Sequence, residues 1–159
     1  MDQFTKLQLW KLTEYERIVY MDSDLFPLIN TEELFQMEIQ QTSSTEPPFD
    51  YSFAAAPNLV EKNGNDYVVG IGFNAGFFML KPSVEIFDKL WNRALDPEQS
   101  WNVHKDMEQG LLNDFFASGG QVPLFPLHWS WNVKDMQDDM IPESKVVHAR
   151  YVLFGFLVD

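Results

Sequence analysis

The sequence predicts an α/β domain, a mostly parallel mixed sheet flanked by helices, and three observations predict it. Short apolar runs of strand length recur along the chain: "RIVYM" (17–21), "YSFAAAP" (51–57) and "KVVHA" (145–149). Between them lie stretches of helical periodicity, "SVEIFDKLWNRAL" (83–95) and "DMEQGLLNDFFAS" (106–118). No hairpin series and no repeat of about 20 to 50 residues interrupts this alternation, which removes solenoids and propellers. The 159 residues suit a single domain, 1–159, and at 45% hydrophobic and 15% aromatic they supply a packed core.

Charge and composition exclude several functions. With 24 acidic against 11 basic residues the net charge is −13. Such a surface repels phosphate backbones, so no nucleic-acid partner is expected, and an anionic substrate would need a bridging cation. The absence of cysteine excludes disulfides and thiolate metal sites. The start, "MDQFTKLQLW", lacks the basic-then-apolar pattern of a signal peptide. The longest apolar run, "YVLFGFLV" (151–158), is too short for a transmembrane segment. A soluble chain is expected, with its compartment open.

Taken in order, "DQFTKLQLWKLTEYE" spaces Phe4, Leu7, Trp10 and Lys11 as a helix. "RIVYM" reads as a strand buried on both faces. "NTEELF" opens a short helix with Asn30 as N-cap and Glu33 completing a capping box. Residues 40–50 read as a polar, proline-bearing loop, "YSFAAAP" as a second strand, and "NLVEKNGND" as another loop with an Asn63-Gly64 turn. "YVVGIGFNAGFFMLKPS" alternates strand-like stretches with small residues. Ser83 caps an amphipathic helix with Ile86, Leu90 and Trp91 inward, and Gly119-Gly120 close the next helix. Short strands follow at "QVPLFP" and "KVVHA".

Two aspartates, Asp22 and Asp24, stand where "RIVYM" ends. Ligands of open parallel sheets bind beyond the carboxyl ends of strands, and residues i and i+2 of an extended segment point the same way. Read alone, the pair is a chelator for one hard cation, a solvated turn, or a phosphatase-type nucleophile supported by "KDMQDDM" (134–140). An EF-hand is excluded, because Leu25 and Phe26 stand where a third ligand and the loop glycine belong.

Four stretches in register narrow the choice: "LTEYERIVYMDSDLFPLINTEELF" (12–35), "FNAGFFMLKPS" (73–83), "EQGLLNDFF" (108–116) and "KVVHA" (145–149). Together they resemble glycosyltransferase family 8, the glycogenin-like family, over about residues 4–150. The resemblance implies a GT-A-like fold and a retaining transferase with a UDP-sugar donor. It further implies transfer of a hexose or N-acetylhexosamine, a carbohydrate, glycoprotein or glycolipid acceptor, and Mn²⁺, with Mg²⁺ as the alternative cofactor. By the same resemblance Asp22, Asp24 and His148 hold the metal, while Asn74, Ala75 and Gly76 contact the donor. Gln109 sits near the anomeric carbon with Glu108 beside it. Asp106 offers a further carboxylate where the family commonly has Gly-Asp-Gln-Gly. Read without the resemblance, His148 is a strand-end histidine, Asn74-Ala75-Gly76 a bulge or turn, and Gln109 an exposed helix residue. His104 and His128 are expected to be structural. The aromatic stretch "FPLHWSWN" (125–132) reads as core packing or as an acceptor platform.

Two features depart from the family pattern. Few residues precede Asp22, fewer than the roughly 30 of one βαβ unit, so the chain is expected to be the C-terminal portion of a transferase domain. After His148 the sequence "HARYVLFGFLVD" lacks the lysine that the family places against the diphosphate. The flank of "RIVYM" is then expected to be exposed, so that either a partner chain covers it or the isolated chain is marginally stable. The alternative to transfer is a non-catalytic copy that binds metal or a partner protein.

Overall fold

A computed structural model describes residues 2–36, 52–62, 66–96, 107–116, 122, 124–133 and 141–148. Asn63-Gly64, Asp106, His104, Gly119-Gly120, the 40–50 loop and "KDMQDDM" lie outside them. The chain begins with a 3₁₀ helix, Asp2–Lys11, kinked at Phe4. It continues as β1 Ile18–Met21, β2 Leu25–Pro27, α1 Glu33–Gln36, β3 Phe53–Lys62, β4 Asp66–Leu80, α2 Val84–Leu95 and α3 Met107–Phe116. β5 Leu124–Pro126, 3₁₀ turns at Trp129–Trp131 and Ile141–Glu143, and β6 Val146–His148 follow. Among the described residues, no helix is long and apolar enough to cross a membrane.

The α/β architecture with a mixed sheet is as the sequence predicts, but the strand directions need correction. The main sheet runs β1-β4-β3-β5, and only β3 with β5 is parallel; β1 with β4 and β3 with β4 are antiparallel. The reason is covalent: Lys62 and Asp66 pair across a short connection, which permits only an antiparallel partner. "NLVEK" is therefore strand rather than loop. β1 is not buried on both faces either. It ends the strand order of this sheet, with intermediate burial and Met21 38% exposed.

Side-chain alternation along the central strands splits the core into two layers. Phe78 and Leu80 of β4 and Phe53 and Ala55 of β3 face Leu7, Trp10, Leu90, Leu111 and Phe116 on the helical side. Phe77 and Met79, with Ala54 and Ala56, face Leu25, Leu34, Leu127, Trp131 and Val146 on the other. Trp10 lies 5.8 Å from both Phe53 and Phe116, whose rings are stacked 4.2 Å apart. Such pairs add about 0.5–1.5 kcal/mol each beyond area burial.

α2 starts as the sequence predicts, with Ser83 Oγ accepting from the Ile86 N–H. Arg93 holds Asp114 through two bonds, 2.7 and 3.1 Å, tying α2 to α3. The capping box at α1 is half formed. Asn30 Oδ1 accepts from the Glu32 N–H, but Glu33 pairs with Lys145 instead of returning to Asn30. Trp131 is 3% exposed, stacked on Phe77 and covered by the Lys145 ammonium, so this ring is core and not an acceptor platform.

Candidate active site

Strand register assembles the site. Met21 pairs with Phe77, so the next residue, Asp22, lies against Gly76, its N–H donating to the Gly76 carbonyl at 2.8 Å. A Cβ on Gly76 would lie 2.8 Å from Asn74 Oδ1 and 3.2 Å from Asp22 Oδ2, so a larger residue would displace one of these side chains. β6 pairs with β2 so that His148 faces Leu25, which brings the imidazole beside Asp24. Asp24 Oδ2 and His148 Nδ1 are 3.8 Å apart.

Lys6 occupies the middle of the site. Its ammonium lies 3.0 Å from Asp22 Oδ1 and 2.8 Å from Glu108 Oε1, and donates to the Ala75 carbonyl at 3.2 Å. The kinked 3₁₀ helix delivers it next to Leu7, which is buried, as is Trp10 further along the same helix. Tyr20 donates its hydroxyl to the same Asp22 Oδ1 at 2.7 Å, with Lys6 over its ring. Burial, then the bond to the Asp22 carboxylate, then the charges of Asp22, Glu108 and Asp24 hold the Tyr20 phenol well above its usual range. It stays a donor.

α3 supplies the opposite wall. Gln109 Oε1 accepts from the Ala75 N–H at 3.0 Å, and Asn113 exchanges two bonds with the Phe73 backbone, 2.8 and 2.9 Å. Gly72, at φ 77, lets β4 bend toward α3 there, and a Cβ would stand 2.1 Å from Asn113 Oδ1. On β4 itself, Asn74 Oδ1 accepts from the Gly76 N–H at 2.8 Å and from Asn132 Nδ2 at 3.0 Å, while Asn132 Oδ1 lies 3.0 Å from His148 Nε2.

The structure thus brings together Asp22, Asp24, Asn74, Ala75, Gly76, Glu108, Gln109 and His148; Asp106 lies outside the described residues. Gln109 is not an exposed helix residue, since its side chain is committed to β4. His128 is structural, capping the turn at Trp129–Trp131 through Ser130. Sequence reasoning missed Lys6, Tyr20 and Asn132. The only signal for Lys6 was a cation between the buried Leu7 and the partly buried Phe4.

Among the described residues no three Asp, Glu or His side chains converge as a ready cage. The donor chemistry nonetheless fits a hard or borderline divalent cation: two carboxylates and one imidazole at adjoining strand ends, with His148 Nδ1 turned to Asp24. Asp22 is turned instead to Lys6 and Tyr20.

Fold and site together place the molecule among α/β proteins of the GT-A type. The glycosyltransferase GlyE of Streptococcus pneumoniae TIGR4 has this fold, with a TM-score of 0.62 over 92% of this chain and 37% of its own, at 19% identity. The profile of Glycosyl transferase family 8 matches residues 1–151, and the chain belongs to that family. It is similar to glycogenin-1 of Oryctolagus cuniculus, 34% identical over 114 residues, which are 72% of this chain and 27% of that protein. The match to glycogenin-1 of Caenorhabditis elegans is 32% identical over 120 residues, 76% of this chain and 22% of that one. The chain therefore spans about a quarter of the length of these curated relatives.

Proposed function

We propose that the chain transfers a hexose or N-acetylhexosamine from a UDP-sugar to a hydroxyl of a carbohydrate, glycoprotein or glycolipid, with retention of configuration. The observation that carries this reading is the convergence of Asp22, Glu108 and the Ala75 carbonyl of β4 on one ammonium, that of Lys6, with Gln109 held on the Ala75 N–H beside it. Family membership and similarity to glycogenins support it.

In this reading each side chain has a task. Asn74 donates through its amide nitrogen to a donor-sugar oxygen, its Oδ1 being spent on Gly76 and Asn132, Glu108 accepts from donor-sugar hydroxyls, and Gly76 keeps the backbone open to close approach. Gln109, its oxygen fixed on the Ala75 N–H, turns its amide face toward the anomeric carbon. Lys6 supplies positive charge in a chain whose overall charge of −13 repels a diphosphate. Asp22, Asp24 and His148 would hold Mn²⁺ or Mg²⁺, which when bound offsets the charge of the leaving diphosphate. The outer edge of β1, unpaired in the strand order of the described sheet, supports a partner chain seated there.

The test is UDP release from a panel of UDP-sugars with Mn²⁺ or Mg²⁺, with Gln109→Ala as control. Release that depends on the cation and falls in the variant is expected. UDP binding without release from any donor would favour a non-catalytic copy, and neither binding nor release would sink the reading.

A further inference from the structure

We infer that Asn132 is a positioning residue of this site: it sets which ring nitrogen of His148 faces Asp24 and ties that histidine to Asn74 of β4. The inference rests on the transferase reading only for its effect on cation binding.

The orientation follows from one fixed donor. The Gly76 backbone N–H can only donate, so the Asn74 atom 2.8 Å away is the carbonyl oxygen Oδ1. That same oxygen lies 3.0 Å from the Asn132 side chain. Two oxygens would repel there, so Asn132 presents its amide nitrogen, which also reaches the Asn74 backbone carbonyl at 3.3 Å. With the nitrogen spent on Asn74, the oxygen of Asn132 must face His148 Nε2, 3.0 Å away. An acceptor at that distance requires the proton on Nε2. In the neutral ring Nδ1 then carries its lone pair toward Asp24 Oδ2, 3.8 Å away. Two electron-rich atoms facing each other across that gap favour a cation between them.

The surroundings say that this geometry is built. Asn132 is 3% exposed, between the buried Trp131 and Val133. Its backbone N–H closes the 3₁₀ turn on Trp129 O at 3.1 Å. Val133 is clamped to β6 by bonds of 3.0 Å to Val146 and 3.1 Å from His148. A leucine would suit such a place on apolar grounds alone; an amide satisfied on both ends serves its partners. Its position in the chain couples two parts of the site. Asn74 reaches Asp22 through Gly76, and His148 reaches Asp24, so one side chain joins both aspartates of the Asp-x-Asp pair.

The experiment is ¹⁵N NMR of the histidine rings in the ligand-free full chain, which has three histidines, paired with Mn²⁺ titration by electron paramagnetic resonance. Wild type is expected to show His148 as a single Nε2–H tautomer. Asn132→Leu should mix the tautomers and weaken Mn²⁺ binding about 10- to 100-fold. Asn132→Asp keeps an acceptor for His148 but faces Asn74 with a carboxylate, so it should restore the tautomer without restoring full Mn²⁺ affinity. A wild-type Nδ1–H tautomer would overturn the inference by itself, even if Asn132→Leu failed to fold. So would a folded Asn132→Leu with unchanged tautomer and affinity. A wild type that shows the expected tautomer but binds no Mn²⁺ would uphold the positioning of His148 and count against the cofactor in the proposed function.

Discussion

Replacing Lys6 by methionine removes the one charge around which the described site is organised. At about 3 Å each carboxylate attracts the ammonium by about 5 kcal/mol at an effective dielectric of ~20, and most of that repays desolvation. Lys6, Glu108 and Asp22 are 16%, 17% and 31% exposed, so solvent screens them less than a surface pair. The net loss, counted as charged hydrogen bonds in a partly buried setting, is about 2–3 kcal/mol. In a domain of this size that lowers Tm by roughly 5 to 10 °C. The cause is separable from lost packing, because methionine keeps most of the aliphatic stem. Adding Glu108→Gln to Lys6→Met removes one stranded carboxylate, so the double variant should melt above Lys6→Met alone. Thermal melting at neutral pH reads both effects. A Lys6→Met protein that melts within about 1 °C of wild type would refute the reasoning, as would a double variant whose losses simply add.

Three other outcomes follow from the same geometry. Gly72→Ala forces a side chain into left-handed backbone and against Asn113, which should cost about 2–4 kcal/mol; an unchanged urea midpoint would show that β4 does not need the bend. Because the folded pKa of Tyr20 lies above its ordinary 10.0, the stability it contributes is full below pH 10 and lost above it, where the unfolded chain ionises first. Tyr20→Phe should therefore flatten the alkaline fall in urea midpoint, and parallel profiles for the two proteins would refute the assignment. Asp24, 45% exposed on its side chain, should tolerate Asp24→Asn with an unchanged melt while losing cation-dependent UDP binding; retained binding would move the cation elsewhere.

The sequence and the structure agree where residue type alone decides. Ser83 before an amphipathic run capped α2, and the aspartates after "RIVYM" stand at a strand end beside residues 74–76 of β4. The sheet direction was misread because "NLVEKNGND" mixes polar residues with short apolar ones. Its Asn-Gly pair, read as a turn, is also the commonest hairpin signal, and it sits between two strands that pair. Lys6 was illegible for a different reason. A lysine on a short polar stretch is ordinarily solvated, and only tertiary partners distant in sequence, Asp22, Glu108 and the Ala75 carbonyl, hold it inward. Asn132 lies within the aromatic segment "FPLHWSWN", and its partners Asn74 and His148 are distant in sequence, so no local pattern marks it.

The most direct measurement of the central claim is the melting temperature of the protein with UDP, with Mn²⁺, and with both. A ligand at about 100 times its Kd stabilises by about 2.7 kcal/mol, worth roughly 5 to 10 °C here. The account predicts a shift of that size only when both are present, since the carboxylates repel a bare diphosphate. An equal shift with UDP alone, or none with both in a cooperatively melting protein, would contradict it.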